Sequence, residues 1–416
     1  MRRIAIIGGG ISGLSAGYYL SRQNEVTLFE RETRIGGHTH TVNVETSRGN
    51  LAVDTGFIVH NDHTYPNLIR LFAELGVGTA NSDMSFAVFR HKPEFEYSSH
   101  GLPGFFAQKS NLFSPRHYTL LKEIIRFNRE APLLLKDPKL ETYLLGDWLR
   151  DRKFHPVFLE QYLYPMVSAV WSMALDRIEQ FPASTLIRFF ANHGLFAIDD
   201  HFQWKVVRGG SNTYLEPLSR PFQDRIHKGA EISQVERKAA AVTIHFANRP
   251  SMEFDEVVFA CHGDQVLPLL AAPTDRERDV LGNFTTSSND TCLHTDQNLL
   301  PRRKAARASW NYLLSEDPGK VTLTYHMNRL QSLQADEEYS VTLNATASID
   351  PAKIIRRMTY HHPMYTREAV AAQSRWNEIS GQNRTHFCGA YWFFGFHEDG
   401  LNSALRVARA LGVTRP

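Results

Sequence analysis

The hydrophobic pattern of the first thirty residues predicts two parallel strands joined by a helix. An apolar run at residues 4–7 is typical of a strand that is buried on both faces. A glycine-rich turn at residues 8–13, a helical pattern up to Leu20 and a second strand at residues 25–30 follow it. This order of elements predicts a βαβ unit within a parallel sheet.

The pattern changes between about residues 84 and 204, where helical periods and dense aromatic residues predict a largely helical lobe. Strand-like runs return at residues 232–235, 241–246 and 255–260, and a second interval follows before a last helix at residues 401–411. This recurrence predicts an α/β fold with one discontinuous nucleotide-binding domain and one inserted substrate domain. The first takes residues 1–80, 205–265 and 380–416, and the second takes residues 81–204 and 266–379.

Length, charge and cysteine content narrow the class of protein. A chain of 416 residues is too long for one ordinary core, and a net charge of +2 gives no reason to expect a nucleic-acid partner. Three widely spaced cysteines predict no disulfide framework, no apolar run has the length of a membrane span, and the early first strand leaves no room for a signal peptide. We therefore expect a cytoplasmic protein, while a peripheral contact with the inner face of the membrane stays open.

The turn at residues 8–13 has the spacing of a dinucleotide-binding motif. Gly8 permits the tight turn, Gly10 lets the backbone approach a pyrophosphate, and Gly13 lets the helix pack closely on the strand. The helix start offers free N–H groups to the phosphates, and Glu30 at the end of the second strand can accept hydrogen bonds from ribose hydroxyls. These features predict a bound dinucleotide and leave FAD and NAD open.

The segment after Glu30 resembles the superfamily of flavin amine oxidases and phytoene desaturases. Gly36 and Gly37 follow the acidic residue after a short spacer, although this chain has His38 where that superfamily usually has arginine. Residues 53–56, 208–211 and 387–401 resemble other motifs of the superfamily. The resemblance implies a Rossmann-like FAD-binding domain of the amine oxidase type with an inserted α+β substrate domain. It also implies FAD that is bound without a covalent link.

The same resemblance implies which residues hold the cofactor. In the superfamily the glycine turn lies at the pyrophosphate, a strand residue lies along the adenine, and the start of the last helix points at the flavin. The predicted cofactor-binding residues are Gly8, Gly10, Ile11, Ser12, Gly13, Glu30, Arg31, Gly36, Gly37, His38, Thr39, Gly56, Ile232, Gly389, Glu398, Asp399 and Leu401.

Longer stretches resemble a narrower bacterial subgroup of amine-oxidase-like proteins that bind FAD or NAD(P). The matching stretches are residues 55–61, 64–66, 164–165, 169–172, 327–331, 388–391 and 395–400. Members of that subgroup are associated with methyltransferases similar to cyclopropane-fatty-acid synthases, and some are implicated in desaturating methylated acyl chains. The resemblance therefore implies an apolar or lipid substrate and a methyltransferase partner.

A few aromatic and histidine residues are candidates for the substrate site. Tyr65, Trp171 and Trp392 are predicted to line the substrate pocket, with packing in the core as the alternative for each. His397 is the candidate catalytic residue, because it lies within residues 387–401, which the resemblance places beside the flavin, and an imidazole can exchange a proton near neutral pH. Packing beside the cofactor without proton transfer is equally open for His397. The nineteen histidines show no recognisable metal-ligand spacing, so we predict no metal site.

Three functions stay open from the sequence. The leading hypothesis is an FAD-dependent oxidoreductase that removes hydride from an apolar substrate and so desaturates or oxidises a fatty acyl chain, in particular a methylated one. The second is a flavin amine oxidase that acts on a primary amine or a polyamine. The third is a non-catalytic flavoprotein that assists a lipid methyltransferase.

Overall fold

The computed structural model describes residues 1–173, 175–196, 202–315 and 321–413. Its strands are β1 (Arg3–Ile7), β2 (Glu25–Phe29), β3 (Thr41–Thr46), β4 (Gly49–Asp54), β5 (Val59–Asn61), β6 (Thr79–Asn81), β7 (Phe86–Arg90), β8 (Phe95–Ser98), β9 (Trp204–Val207), β10 (Ile226–His227), β11 (Ile232–Arg237), β12 (Val242–Phe246), β13 (Met252–Phe254), β14 (Glu256–Phe259), β15 (Thr286–His294), β16 (Trp310–Leu313), β17 (Thr322–His326), β18 (Ser340–Leu343), β19 (Ile354–Pro363) and β20 (Thr385–Phe387).

The α-helices are α1 (Ile11–Leu20), α2 (Pro66–Leu75), α3 (Gly101–Phe105), α4 (Pro115–Glu130), α5 (Leu145–Asp151), α6 (Pro156–Phe158), α7 (Tyr164–Trp171), α8 (Leu175–Ile178), α9 (Ala183–Asn192), α10 (Leu215–Ser219), α11 (Val266–Leu269), α12 (Asp275–Leu281), α13 (Met327–Leu330), α14 (Arg367–Gln373), α15 (Trp376–Ile379) and α16 (His397–Ala410). A π-helical segment, Leu159–Leu163, joins α6 to α7. Short 3-10 helices are Lys109–Phe113, Ala131–Lys136, Pro138–Glu141, Ser211–Tyr214, Arg220–Arg225, Gly263–Gln265, Gln297–Leu299, Lys304–Ala306, Thr346–Ser348, Pro351–Lys353 and Ala390–Trp392.

A five-stranded parallel sheet in the order β10-β2-β1-β14-β20 forms the centre of the nucleotide-binding part. The βαβ unit predicted for the first thirty residues is confirmed, because β1 and β2 pair in parallel and α1 connects them. The pairing places Ile7 beside Phe29. The glycine turn after β1 and Glu30 after β2 therefore leave the sheet at the same edge, where ligands bind in parallel sheets.

A seven-stranded sheet in the order β19-β15-β18-β17-β16-β7-β8 forms the base of the second part. Its pairs are antiparallel except for β7 with β16, which is parallel. Helices α4 to α9 contribute an aromatic core in which Phe127, Trp148, Phe158 and Phe190 are buried together. This core follows from the dense aromatic pattern of the sequence, because such side chains bury large apolar areas.

Asp54 at the end of β4 connects three distant segments of the chain. Its buried carboxylate accepts hydrogen bonds from the Thr41 hydroxyl at 2.6 Å, the Ser211 N–H and hydroxyl at 2.8 Å each, and the Gln331 amide at 3.0 Å. Burial raises the pKa of Asp54 to about 6, against the lowering effect of the hydrogen bonds from Thr41 and Ser211. The carboxylate thus fixes the segment that leads into Gly56 against the second part of the molecule.

The substitution Asp54→Ala tests this connection. It leaves several buried donors without an acceptor, so we expect the free energy of unfolding at pH 8 to fall by about 3 kcal/mol. Chemical denaturation measures the change. The control Asp62→Ala removes an exposed carboxylate that pairs with Lys205, and its cost should stay under about 1 kcal/mol. Equal costs for both variants would contradict the role of Asp54.

Candidate active site

A cavity of about 2150 Å³ runs from the carboxyl edge of the parallel sheet into the second part of the molecule. Pockets for one drug-sized ligand measure roughly 300–1,000 Å³, so this cavity has room for a large cofactor and a second molecule. Its walls include the glycine turn after β1, the strand β19, the π-helical segment and residues of α3 and α4. Both parts of the fold therefore build one site.

The phosphate end of the cavity consists of the glycine turn and the start of α1. Gly8, Gly10, Ile11 and Ser12 line it. A Cβ atom added to Gly10 meets no atom within 4 Å, so the missing side chain leaves space on the cavity side. By contrast, a Cβ atom on Gly13 would lie 1.9 Å from the Gly8 carbonyl oxygen, which makes Gly13 a packing residue. These two positions fit a backbone that approaches a pyrophosphate.

The two turns of the predicted cofactor site lie directly against each other. The Gly36 N–H donates to the Gly9 carbonyl at 2.7 Å, and the Gly9 N–H donates to the Glu30 carboxylate at 2.7 Å. Glu30 also accepts from the Glu32 N–H at 2.8 Å, which fixes its carboxylate at the cavity wall. Other residues of the prediction that line the cavity are Arg31, Gly36, Gly37, His38, Gly56, Ile232 and Gly389.

Four predicted cofactor residues lie behind the cavity wall. The Glu398 carboxylate accepts from the N–H groups of Asn67 and Leu68, so it caps α2. Asp399 accepts from the Phe396 N–H within its own helix start, and burial raises its pKa to about 7. Leu401 is fully buried, and Thr39 is also fully buried. These four residues, like Gly13, support the cavity wall from behind and do not line the cavity.

His397 lines the cavity as a neutral, firmly held imidazole. Its ring stacks on Phe57 with centroids 3.7 Å apart, and its Nε2 lies 3.0 Å from both the Thr39 and Tyr214 hydroxyls. Burial lowers the pKa of His397 to about 3. The hypothesis of proton exchange near neutral pH therefore loses its basis, and the structure favours packing beside the cofactor.

A cluster of histidines around His38 is the part of the site that the sequence did not reveal. The His38 ring lies 5.0 Å from Tyr360, 5.5 Å from His362 and 6.0 Å from His262, measured between centroids. Burial and the neighbouring histidines lower the pKa of His38 well below its usual range, and its Nε2 is buried without a hydrogen-bond partner. Tyr360 and His362 are two residues apart on β19 and therefore lie on the same face of this strand. This spacing is the one signal in the sequence that could have predicted that they lie together.

The far limb of the cavity is apolar, and we call it the apolar limb. Its residues, drawn from β7 and β8 of the seven-stranded sheet and from α3, α4, the π-helical segment and α7, are Phe86, Tyr97, Phe105, Leu121, Ile124, Tyr162 and Met166. Two predicted substrate residues, Tyr65 and Trp171, line the cavity, although both are largely buried. The prediction for Trp392 is corrected, because that ring packs on Phe284 at 4.8 Å and Tyr391 at 5.2 Å and does not line the cavity.

The part of the chain that the structure describes also bears on metal binding, on the cysteines and on membrane-spanning helices. No group of three or more histidine, cysteine or acidic side chains there could hold a metal ion, and its three cysteines are free. The Cys388 thiol is fully buried, burial raises its pKa, and it does not line the cavity. No helix among these residues combines the length and apolar character needed to cross a membrane.

Gly10→Glu tests the phosphate end. The new side chain would project into open space of the cavity, where its carboxylate repels a pyrophosphate, so we expect FAD affinity to fall by at least about tenfold. Flavin absorbance of the purified protein measures the loss, and thermal denaturation shows whether the fold survives. The control Gly78→Glu places the same side chain in an exposed loop and should keep its FAD. Full flavin content in Gly10→Glu would refute the assignment.

His397→Phe tests the buried neutral imidazole. The folded-state pKa of about 3 lies below the ordinary value of 6.5, so the stability that neutral His397 contributes is present above pH 6.5 and lost as the pH falls toward 3. Phenylalanine cannot take up a proton, so the free energy of unfolding of the variant should fall less in acid. The difference from the wild type should be about 1.4 kcal/mol for each pH unit below 6.5. Unfolding free energies from pH 8 down to 4 measure it. Parallel curves for the two proteins would contradict the prediction.

Comparison with known proteins shows which family has this architecture. The family model for flavin containing amine oxidoreductase matches residues 11–412. Carotenoid phi-ring synthase of Chlorobaculum tepidum is 24% identical over 271 residues, covering 58% of this chain, and the match spans only 39% of that relative.

Solved structures extend the likeness to the whole chain. A redesigned variant of putrescine oxidase has a TM-score of 0.73, and a CLA-producing fatty acid isomerase from P. acnes has a TM-score of 0.71. Each is 15% identical and covers 99% of this chain, over 98% and 99% of their own lengths respectively. These likenesses show a shared fold, and the family match covers nearly all of the chain. The chain therefore belongs to the family of flavin containing amine oxidoreductases, and its cofactor is FAD.

Proposed function

We propose that this protein is an FAD-dependent oxidoreductase that removes hydride from an apolar lipid substrate and so desaturates or oxidises a fatty acyl chain, in particular a methylated one. The observation that carries the proposal is the apolar limb, which leads from the cofactor end of the cavity toward the surface at α3 and α4. Bound FAD supplies the hydride acceptor. The fatty acid isomerase with the same fold is consistent with a lipid substrate.

The apolar limb has the properties that an acyl chain requires. Phe105, Leu121 and Met166 offer apolar surface from three different elements, so a chain would be surrounded and water excluded. Tyr162 lies in the π-helical segment, a feature that often occurs at functional sites. Each methylene that enters such a limb contributes about 0.8 kcal/mol, and length-dependent affinity follows.

The histidine cluster adds neutral imidazoles to the same cavity. Burial lowers the pKa of His362 to about 4, and its Nδ1 lies 2.9 Å from the Ser172 hydroxyl. Burial also lowers the pKa values of His38 and His397, so proton exchange near neutral pH is disfavoured for all three residues. A neutral imidazole has one N–H donor and one acceptor nitrogen, and these residues therefore offer hydrogen bonds beside the cofactor.

The carboxylates of the cavity argue against a cationic amine as substrate. Among the described lining residues they are Glu30, Glu32, Asp83 and Asp264. Glu30 holds the Gly9 backbone, Asp83 lies 3.1 Å from the Arg329 guanidinium, and Asp264 accepts from the Thr286 hydroxyl at 2.6 Å. Glu32 is exposed and lies 3.7 Å from the Arg31 guanidinium. Since these carboxylates already have partners, they offer little to an ammonium group. An amine oxidase is the second candidate, supported by the family match and by the shared fold with putrescine oxidase.

The test combines substrate panels with a variant that narrows the apolar limb. Anaerobic mixing with acyl lipids should bleach the flavin, and the same panel of polyamines should not. Leu121→Trp should raise KM for long acyl chains by about tenfold or more and change the response to short chains little, because bulk in the limb excludes only the longer substrate. The control Leu121→Met keeps the volume and should behave as the wild type.

The contrary outcomes separate the three functions. Bleaching by polyamines alone would establish the amine oxidase in place of the proposal. No bleaching by either panel, together with an unchanged cellular lipid profile when Gly10→Glu replaces the wild type, would favour an accessory role beside a lipid methyltransferase. Comparative lipid analysis of cells with and without the protein measures that profile.

A further inference from the structure

The surface formed by α3, the 3-10 helix Lys109–Phe113 and α4 carries an unusual group of exposed apolar side chains. We call them the mouth patch, and their exposed fractions are 65% for Leu102, 45% for Leu112, 87% for Phe113, 49% for Tyr118 and 47% for Ile125. Single exposed apolar residues are normal on a soluble protein, whereas a contiguous group marks an interaction surface.

Contacts and helical spacing show that the mouth patch is contiguous. The Tyr118 hydroxyl donates to the Leu112 carbonyl at 3.0 Å, which holds α4 against the turn that carries Phe113. Tyr118 and Ile125 are seven residues apart and lie on the same face of α4. The Phe106 ring lies 5.7 Å from Tyr118 and connects this face to α3.

The mouth patch borders the entrance of the apolar limb. Leu102 and Ile125 are exposed to solvent, and both also line the cavity. Leu121, one turn before Ile125 on α4, lines the cavity as well and is partly buried. An apolar surface outside therefore continues into an apolar channel inside.

The exposed charges of this segment have one sign, because Glu123 is buried and pairs with Arg126 at 3.2 Å. Residues 97–122 contain no aspartate or glutamate, and they include Lys109, Arg116 and Lys122. All three basic residues are exposed, although Arg116 shares its charge with Glu160 at 3.2 Å. An exposed apolar group surrounded by lysine and arginine is the combination that binds anionic lipid surfaces.

We propose that the mouth patch docks on a membrane leaflet that contains anionic phospholipids, with Leu112 and Phe113 inserted at the level of the headgroups. The basic residues contact the phosphates, and the entrance at Leu102 and Ile125 opens toward the acyl region. This docking goes beyond the proposed function, because it is measured without turnover. It also gives an acyl chain a path into the apolar limb that avoids water.

Vesicle flotation of the FAD-loaded protein tests the docking. We expect binding to vesicles of phosphatidylglycerol and phosphatidylcholine, weaker binding to phosphatidylcholine alone, and loss of the difference at high salt, because salt screens the lysine and arginine charges. The double variant Leu112→Ser/Phe113→Ser should bind at least about tenfold more weakly, since it removes the inserted apolar surface. Lys109→Gln/Lys122→Gln should lose the preference for anionic lipid.

A matched control uses Leu133→Ser, because Leu133 is 64% exposed but lies beyond the opposite end of α4. It should bind as the wild type, and all variants should keep their flavin absorbance. Absence of vesicle binding by the wild type, or equal losses for the patch and control variants, would overturn the proposal. Capture of a methyltransferase without vesicle binding would overturn it in favour of a protein partner. Vesicle binding without acyl-lipid oxidation would refute the proposed function and leave the docking intact.

Discussion

The close backbone contact between the two glycine turns is the constraint on which the cofactor end depends. The Gly36 N–H donates to the Gly9 carbonyl, and Gly13 allows α1 to approach the same turn to a distance at which no side chain fits. Both turns leave the parallel sheet at its carboxyl edge. Their contact therefore fixes the cavity wall beside the start of α1. The N–H groups of Gly9 and Glu32 donate to the Glu30 carboxylate and hold it at this wall.

Burial decides the chemistry of the histidines in this cavity. His38, His362 and His397 all lie where removal of water disfavours the charged imidazole, so their pKa values fall below the ordinary range. Their surroundings differ in one respect. His397 has its Nε2 beside two hydroxyls and its ring on Phe57, whereas the Nε2 of His38 has no partner. The Nε2 of His38 is thus a buried polar atom without a partner, whereas the Nε2 of His397 is held at the start of α16.

The second part of the molecule adds an apolar limb to this cofactor site. Strand β19 brings Tyr360 and His362 to the cofactor side, while α3, α4 and the π-helical segment enclose the apolar limb. Asp54 ties the two parts together through Thr41, Ser211 and Gln331. The proposal of an acyl substrate rests on the limb, its entrance and the basic exposed surface beside it, which follow one another along α3 and α4.

The parallel βαβ unit, the glycine turn and the family could be predicted from the sequence, because these depend on local spacing. The relevant signals are glycines where the backbone must approach closely, an acidic residue one strand later, and apolar runs of strand length. The orientation of distant residues, by contrast, depends on tertiary packing. Trp392 packs on Phe284, Glu398 caps α2, and His38 meets Tyr360 and His362, which are more than three hundred residues away in the chain. No local pattern encodes such contacts, since burial and orientation arise only when separate segments close around one cavity.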